Sequence, residues 1–190
     1  MHLTKGRPAD LEGRLEREIR VYDLLDRLGV EYEYVDHEPL MTMQDCEEVD
    51  RILDAAICKN LFLCNRQKTA FYLLMLPADK QFQTSQVSHA VNSSRLSFGG
   101  PQEMEELLGL TPGSVSVLGL MNDTKNRVQL LMDESLLAEP MIGCHPCMNT
   151  TSLRLSMKDL LDKVLKEVHH APPVLKAVPL GMKRCNGKKL

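Results

Sequence analysis

Apolar residues recur every three or four positions in several stretches of the chain, the spacing of an amphipathic helix. The longest such stretch runs from Asp10 to Leu28, and Gly29 follows it where a left-handed cap would end a helix. Pro101 stands at a favoured first helical position, because proline has no amide proton to leave unpaired. The other predicted helices span residues 42–56, 83–91, 101–109 and 156–168.

Alternating or continuous apolar runs between these helices are typical of strands. The predicted strands are residues 30–34, 57–65, 69–76, 95–99, 115–120, 127–133 and 152–156. A short polar turn, NRQK, joins the second and third of them, which predicts a hairpin. We therefore expect an α+β fold: a single domain over residues 1–170, with a mixed, partly antiparallel multi-stranded sheet and flanking helices.

The composition indicates one globular domain. The chain has 190 residues, of which 43% are hydrophobic and 26% are charged. No apolar run approaches the roughly 18 residues that a membrane span needs, and the N-terminus has no apolar signal-peptide core. We expect a cytoplasmic protein that makes no contact with membranes.

The charge is unevenly distributed along the chain. The formal net charge is -3, yet residues 171–190 carry five basic residues and no acidic one, which leaves 18 basic against 26 acidic residues, or -8, before them. Residues 171–190 are therefore predicted to form a basic C-terminal tail. A solvated terminus is its commoner interpretation, and contact with phosphate is the alternative. The overall charge is not that of a general nucleic-acid binder, and we expect no DNA partner.

The six cysteines show no disulfide-scaffold pattern and are predicted to be free thiols. Cys144 and Cys147 flank His145, which invites a metal interpretation. A structural zinc site needs four ligands, however, and the chain has no second pair of this kind. We expect neither a metal nor a cofactor.

Lys59 is unusual because it lies in the predicted strand 57–65, whose two faces are both mostly apolar. Side chains alternate in a strand, so Lys59 shares one face with Ile57 and Leu61. A buried ammonium group is costly unless it is paired. Lys59 is thus expected either to reach water from a strand end or to line a polar pocket, and the residues alone leave both possibilities open.

The segment GCHPCMNTTS, residues 143–152, is a second unusual stretch. It is predicted to be a loop that starts at Gly143, with His145 fixed by Pro146 and hydrogen-bonding side chains at Asn149 and Thr150. One interpretation is a hydrogen-bonded turn. The other is a loop that presents donors to a carbonyl or hydroxyl group, as an acyl-hydrolysing site requires. The chain has no GxSxG nucleophile motif and no GxxxxGK[ST] or GxGxxG phosphate-binding motif.

Several motifs in the same order resemble the YbaK/ProX-type aminoacyl-tRNA editing family, the freestanding relatives of the insertion domain of bacterial prolyl-tRNA synthetase. The resemblance spans roughly residues 30–168, and KNLFL, GxHPxxN and GLxND are most similar to the ProX branch. The chain departs from compact members of the family in its N-terminal helix and its basic tail. The matching motifs are DHEPLMT (36–42), ICKNLFL (57–63), FYLLMLP (71–77), RLSFGGPQEMEELLGLTPGSVSVLGLMND (95–123) and GCHPCMNTT (143–151).

The resemblance implies a deacylase that clears alanine from mischarged tRNA for proline, with the tRNA acceptor end as its partner and prolyl-tRNA synthetase as a further possible partner. It implies that Lys59 is the catalytic-site lysine, which holds the ester or phosphate end of the acceptor. Gly143, His145 and Pro146 would shape the amino-acid pocket, and Asn149 and Thr150 would give polar support. Three alternatives stay open at this point: a different small amino acid such as cysteine or serine, a non-catalytic binding module for tRNA or an amino acid, and Schiff-base chemistry at Lys59.

Overall fold

The computed structural model describes residues 1–39, 43–170 and 174–175. The predicted basic tail, residues 171–190, therefore lies outside the described residues except for a two-residue strand. The division of the chain at residue 170 stays a prediction. The described segments contain no helix that is long and apolar enough to cross a membrane.

The described strands join in one mixed sheet. Its hydrogen-bonded order is β1-β2-β8-β7-β3-β4-β6-β9, and β5 pairs with β3 off this path. Three neighbouring pairs are parallel, namely β3 with β7, β4 with β6 and β6 with β9, and the others are antiparallel. The strands are β1 (Thr4–Lys5), β2 (Tyr32–Asp36), β3 (Ala56–Cys64), β4 (Phe71–Pro77), β5 (Ser97–Phe98), β6 (Val128–Met132), β7 (Met141–Cys144), β8 (Thr151–Ser156) and β9 (Val174–Leu175).

Helices flank the sheet. The regular α-helices are α1 (Glu16–Arg27), α2 (Met43–Leu53), α3 (Thr84–Ala90) and α4 (Pro101–Leu108). The C-terminal helix consists of an α-helical turn, Met157–Asp159, a π-helical segment, Leu160–Val164, and a second α-helical turn, Leu165–Glu167. Two 3₁₀ helices, Val117–Asn122 and Glu134–Ala138, complete the described elements.

The two faces of the sheet pack against different helices. On one face, α1, α4 and the C-terminal helix enclose the largest apolar core, to which Tyr22, Leu108, Leu153 and Leu160 contribute. On the other face there are two smaller apolar clusters. The α2 cluster consists of Val35, Val49 and Leu53 with Ile57 packed against it, and the α3 cluster consists of Leu63, Tyr72, Leu74, Leu76, Val87, Leu96 and Leu131 with Leu61 packed against it.

The predicted α+β architecture is confirmed, and so is the hairpin, whose strands β3 and β4 pair from Cys58 with Pro77 to Cys64 with Phe71. The predicted start of the first helix was wrong. Residues 11–14 form a turn closed by Arg14 N–H on the Leu11 carbonyl, and Gly13 has a φ of +79°, so α1 begins only at Glu16.

Two further predictions were wrong in the second half of the chain. Residues 115–120 do not form a strand, because the hydroxyl of Ser116 caps a buried 3₁₀ helix by accepting the N–H of Leu118. Gly143 does not begin a loop but lies inside β7, where it pairs with Ile57 on one side and Arg154 on the other. The secondary structure of short apolar segments depends on the residues they pack against, and the local sequence pattern does not reveal those residues.

Candidate active site

Lys59 lies in the gap between the two apolar clusters on the α2 and α3 side of the sheet. Its neighbours on the same face of β3 are Ile57, which packs on the α2 cluster, and Leu61, which packs on the α3 cluster. The side chain of Lys59 is exposed, and its Nζ donates to the carbonyl oxygen of Lys80 at 3.0 Å. The lysine therefore reaches water between two helices, and its Nζ has no second hydrogen-bond partner among the residues that the structure describes.

The segment that holds Lys59 is itself anchored. Lys80 Nζ donates to Oδ1 of Asp133 at 2.8 Å, and Asp133 is 1% exposed. Burial alone would raise the pKa of Asp133, but the hydrogen bonds from Lys80 and Ser135 lower it below its usual value. Asp133 therefore stays ionised. Its ion pair with the Lys80 side chain holds in place the Lys80 carbonyl oxygen, which accepts the hydrogen bond from Lys59.

His145 lies on the same side of the sheet as Lys59. His145 follows the last residue of β7, and its Nδ1 lies 3.5 Å from the hydroxyl oxygen of Ser152. Ser152 is opposite Val35 in the antiparallel pair of β2 and β8, so the two side chains share a face. Val35 belongs to the α2 cluster, on which Ile57 of β3 also packs. His145 and Lys59, 86 positions apart in the sequence, therefore lie on one side of the sheet.

A hydrogen bond fixes the ring of His145. Its Nδ1 lies 3.0 Å from the carbonyl oxygen of Thr151. A carbonyl oxygen can only accept, so Nδ1 carries the proton, and Nε2 of the neutral ring keeps its lone pair. The hydroxyl of Ser116 donates to the backbone carbonyl of His145 at 2.5 Å and holds the loop from the other direction.

His37 and Ser152 join this arrangement. Nδ1 of His37 is 2.8 Å from the carbonyl oxygen of Glu38 and must donate; in the neutral ring, Nε2 then accepts a hydrogen bond from the Ser152 hydroxyl at 2.9 Å. The Ser152 oxygen then lies 3.5 Å from Nδ1 of His145. The two imidazole rings are 6.3 Å apart between centroids and meet edge to face. When both rings are neutral and each carries its proton on Nδ1, all of these hydrogen bonds have one donor and one acceptor.

The pKa of His145 is lowered. Burial disfavours the charged ring, the hydrogen bond to Thr151 works in the opposite direction, and repulsion from His37 adds to the lowering. Burial also raises the pKa of the thiols of Cys58 and Cys147 to about 12 each. Neutral thiols are poor nucleophiles, so the chemistry available near this loop is that of a neutral imidazole, hydroxyls and an ammonium group.

The opposite face of the sheet supports the same loop through Arg14, which precedes α1. Its guanidinium group binds Asp36 through Nη2 and Oδ2 at 2.6 Å and the buried Glu18 at 2.5 Å. The hydroxyl of Thr151 donates to Asp36 Oδ1 at 2.8 Å. Burial alone would raise the pKa of Asp36, but the hydrogen bonds from Arg14 and Thr151 lower it. We refer to Arg14, Glu18, Asp36 and Thr151 as the Arg14 cluster.

The other residues predicted for the site occupy the loop around His145. Pro146 is buried, and Asn149 and Thr150 are half-buried. The carbonyl oxygen of Thr150 accepts the backbone N–H of His37 at 2.9 Å, which ties the loop to the end of β2. Within the described residues the side chain of Asn149 has no hydrogen-bond partner, so it is free to bind a ligand.

Sequence reasoning missed several members of this arrangement. His37 was not among the predicted site residues, yet its ring lies edge to face with that of His145. Arg14 fell within the predicted first helix, and neither Arg14 nor Asp36 was predicted for the site. The pairing of β2 with β8 brings Asp36 opposite Thr151, and only knowledge of that pairing would have identified the contact.

Asp123, the last residue of the matching motif 95–123, has a structural role. Its carboxylate accepts hydrogen bonds from the N–H groups of Arg127 and Val128 and lies 3.2 Å from Nε2 of the buried His170.

In residues 1–39, 43–170 and 174–175, no three His, Cys, Asp or Glu side chains converge as a metal site would require.

Comparisons with known proteins identify the family of the chain. Residues 37–163 match the model of the aminoacyl-tRNA editing domain. The chain is 30% identical over 142 residues to the prolyl-tRNA editing protein ProX of Acetoanaerobium sticklandii, which covers 75% of this chain and 86% of that protein. It is 27% identical over 171 residues to prolyl-tRNA synthetase associated domain-containing protein 1 of Bos taurus, covering 88% and 95% of the two chains.

A crystal structure described as that of a candidate trans-editing enzyme for prolyl-tRNA synthetase superposes with a TM-score of 0.63. The match covers 85% of this chain and 96% of the other, at 17% identity. At that identity the similarity shows a shared fold.

Proposed function

Because this chain belongs to the aminoacyl-tRNA editing domain family, we propose that it is a trans-editing deacylase for mischarged tRNA for proline, with alanine as the amino acid removed. The reaction is ester hydrolysis: water adds to the carbonyl carbon, the bond to the ribose oxygen breaks, and that oxygen takes up a proton. The products are free alanine and uncharged tRNA. The tRNA acceptor end is the partner, and prolyl-tRNA synthetase is the enzyme whose errors would be corrected.

The observation that carries this proposal is the position of Lys59 in the gap between the α2 and α3 clusters, on the same face as His145. An ammonium group beside a groove attracts the phosphate and the ester oxygen of an aminoacyl-tRNA terminus. We assign Lys59 to holding that end of the substrate. Its bond to the Lys80 carbonyl is an exposed one that a substrate oxygen can replace.

Gly143 in β7 and the loop that follows this strand as far as Thr150 would form the amino-acid pocket. Gly143 allows β7 to approach Ile57 closely, Pro146 stiffens the turn, and Asn149 and the Thr150 backbone offer polar contacts. The unprotonated Nε2 of His145 is suited to accept a proton from the substrate's ammonium group or from water. The Nδ1 bond to Thr151 keeps the ring in this tautomer.

A strong protein nucleophile is not required for this reaction. The ester of an aminoacyl-tRNA is already activated, and its neighbouring ribose hydroxyl can help to orient and deprotonate the attacking water. Placement of the ester and stabilisation of the oxyanion are then the main tasks of the protein. The raised pKa values of the Cys58 and Cys147 thiols support a mechanism without a cysteine nucleophile.

Alanine is a reasonable target because a pocket sized for proline cannot reject a smaller side chain by binding energy alone. A missing methylene group is worth only about 1–3 kcal/mol, so synthetases that must exclude smaller amino acids rely on a second hydrolytic site. A pocket that admits alanine and excludes the proline ring by size would provide this second selection.

The experiment that tests the role of Lys59 is release of labelled alanine from alanyl-tRNA for proline by the intact protein, Lys59→Ala and a control. Lys158→Ala is the matched control, because the Lys158 side chain is 82% exposed and, among the described residues, forms an ion pair with Asp162 alone on the C-terminal helix. We expect Lys59→Ala to slow release at least about 100-fold, as loss of an oxyanion contact does, and Lys158→Ala to leave it unchanged. Equal rates for both variants would remove Lys59 from the site.

A further inference from the structure

Phe98 is an exposed aromatic residue at the edge of the sheet. It is 64% exposed, and its ring packs against Phe82 with the centroids 5.6 Å apart and the planes tilted by 55°. Phe98 belongs to the two-residue strand β5, which pairs with the end of β3. The chain has only four phenylalanines, and Phe62 and Phe71 are buried, so the exposure of this one is not a general property of its aromatic residues.

Two arginines lie beside Phe98. Arg66 and Arg95 line, together with Phe98, a shallow cleft of about 640 Å³. The side chains of both arginines lack a hydrogen-bond or ion-pair partner in the described part of the chain, whereas nearby Lys68 is neutralised by Glu103. Among the described residues, no acidic side chain lines the cleft. We refer to Phe98, Arg66 and Arg95 as the Phe98 cleft.

The Phe98 cleft lies on the same face of the sheet as Lys59. Phe98 pairs with Leu63 in the antiparallel register, so the two side chains share a face, and Leu63 shares its face with Lys59. Leu63 is four positions along the strand from Lys59, a distance of about 13 Å. A strand of several nucleotides can span that interval along the α3 side of the groove.

From these relationships we propose that the Phe98 cleft binds the single-stranded end of the tRNA whose terminal ester lies at Lys59. Phe98 stacks on a base, and Arg66 and Arg95 bind the adjoining phosphates. The proposal rests on the proposed function for the identity of the nucleic acid. An exposed ring beside unpaired arginines is the combination that binds single strands, because the ring accepts any base face and the arginines neutralise the backbone.

The test is equilibrium binding of uncharged tRNA for proline at several salt concentrations, which needs no turnover. Phe98→Ala should weaken binding about ten-fold or more, and Phe98→Tyr, which keeps a flat ring, should restore most of it. Arg66→Ala and Arg95→Ala should each reduce the slope of log K against log salt by about 0.7, the loss of one phosphate contact. Arg127→Ala is the control, because Arg127 is already paired with Glu106 elsewhere on the surface.

A second measurement separates the cleft from the chemistry. With full-length alanyl-tRNA, Phe98→Ala should raise KM and leave kcat nearly unchanged. With the alanyl ester of adenosine, which is too short to reach the Phe98 cleft, it should change neither parameter. Thermal unfolding of each variant would show that the fold is retained.

The outcomes also separate this inference from the proposed function. If the wild-type protein binds tRNA through the cleft but releases no alanine, the proposed function fails and the cleft assignment stands. Unchanged affinity and salt slope in all three variants would overturn the assignment, as would a wild-type protein that does not bind tRNA. Self-association that Phe98→Ala abolishes while tRNA binding persists would overturn it too, and would identify the cleft as a protein interface.

Discussion

The imidazole of His145 donates from Nδ1 to the carbonyl oxygen of Thr151 at 3.0 Å, while the hydroxyl of the same Thr151 donates to Asp36 on the opposite face of the sheet. One residue of β8 therefore links the loop on one side to the Arg14 cluster on the other. The residues before position 37, where the match to the family model begins, thus contribute to the support of that loop.

The tautomer of His145 is directly measurable. Long-range ¹H–¹⁵N NMR of the protein should show the proton on Nδ1 and a pKa below the ordinary histidine value of about 6.5, because burial disfavours the imidazolium ion. A pKa above 6.5 or a proton on Nε2 would contradict the hydrogen-bond assignment.

The lowered pKa of His145 also has a consequence for stability. Below pH 6.5 the unfolded chain binds a proton at this position that the folded protein resists, so the free energy of unfolding falls as the pH drops from 6.5 towards the folded-state pKa. His145→Gln should remove this part of the pH dependence. Urea unfolding at pH 7.5 and pH 5.5 measures it, and an identical pH dependence in wild type and variant would contradict the prediction.

Arg14→Ala should lower both stability and deacylation. It leaves Glu18, which is 3% exposed, without its cation, and a buried charge without its partner costs about 3–5 kcal/mol. Arg7→Ala is the matched control, since Arg7 ties the same N-terminal segment to Asp23 and Asp26 at the surface. We expect kcat to fall in Arg14→Ala and not in Arg7→Ala, measured at a temperature where both are folded. Equal kcat values would show that the Arg14 cluster does not contribute to deacylation.

Gly99 permits a close approach of backbone to ring. A Cβ at this position would lie 2.4 Å from Cδ1 and Cε1 of Phe62, which is buried and stacks on Phe71 at 5.8 Å. Gly99→Ala should therefore destabilise the protein by about 1–3 kcal/mol. Gly100→Ala is the control, because the nearest atom to its Cβ would be the terminal Oε2 of the flexible Glu103 side chain, which can move aside at the cost of a surface ion pair with Lys68. Denaturant unfolding would show the difference, and equal stabilities would disprove the packing argument.

The secondary-structure elements that could be predicted from the sequence are those with a local pattern. The β3–β4 hairpin, α4 with Pro101 at its start, and the α+β class follow from periodicity and turn residues. The position of Lys59 between two apolar clusters could not be predicted in this way, because it depends on which helices cover β3. The contact between His37 and Ser152 joins residues 115 positions apart, and Gly143 became a strand residue through its partners.

The resemblance of the motifs to a family identified Lys59 and His145 as candidates, but it carried no information about Arg14. That residue precedes the matching segment, and its importance arises from the antiparallel pairing of Asp36 with Thr151. Phe98 lies within a matching motif, yet its exposure and its unpaired arginine neighbours are visible only in three dimensions.

The central claim is that this protein removes alanine from tRNA for proline, and the most direct test compares alanyl-tRNA with prolyl-tRNA on the same tRNA under single-turnover conditions. We predict that labelled alanine is released at least about ten-fold faster than proline, because the pocket rejects the larger ring. Equal rates, faster release of proline, or release of alanine no faster than in buffer would contradict it.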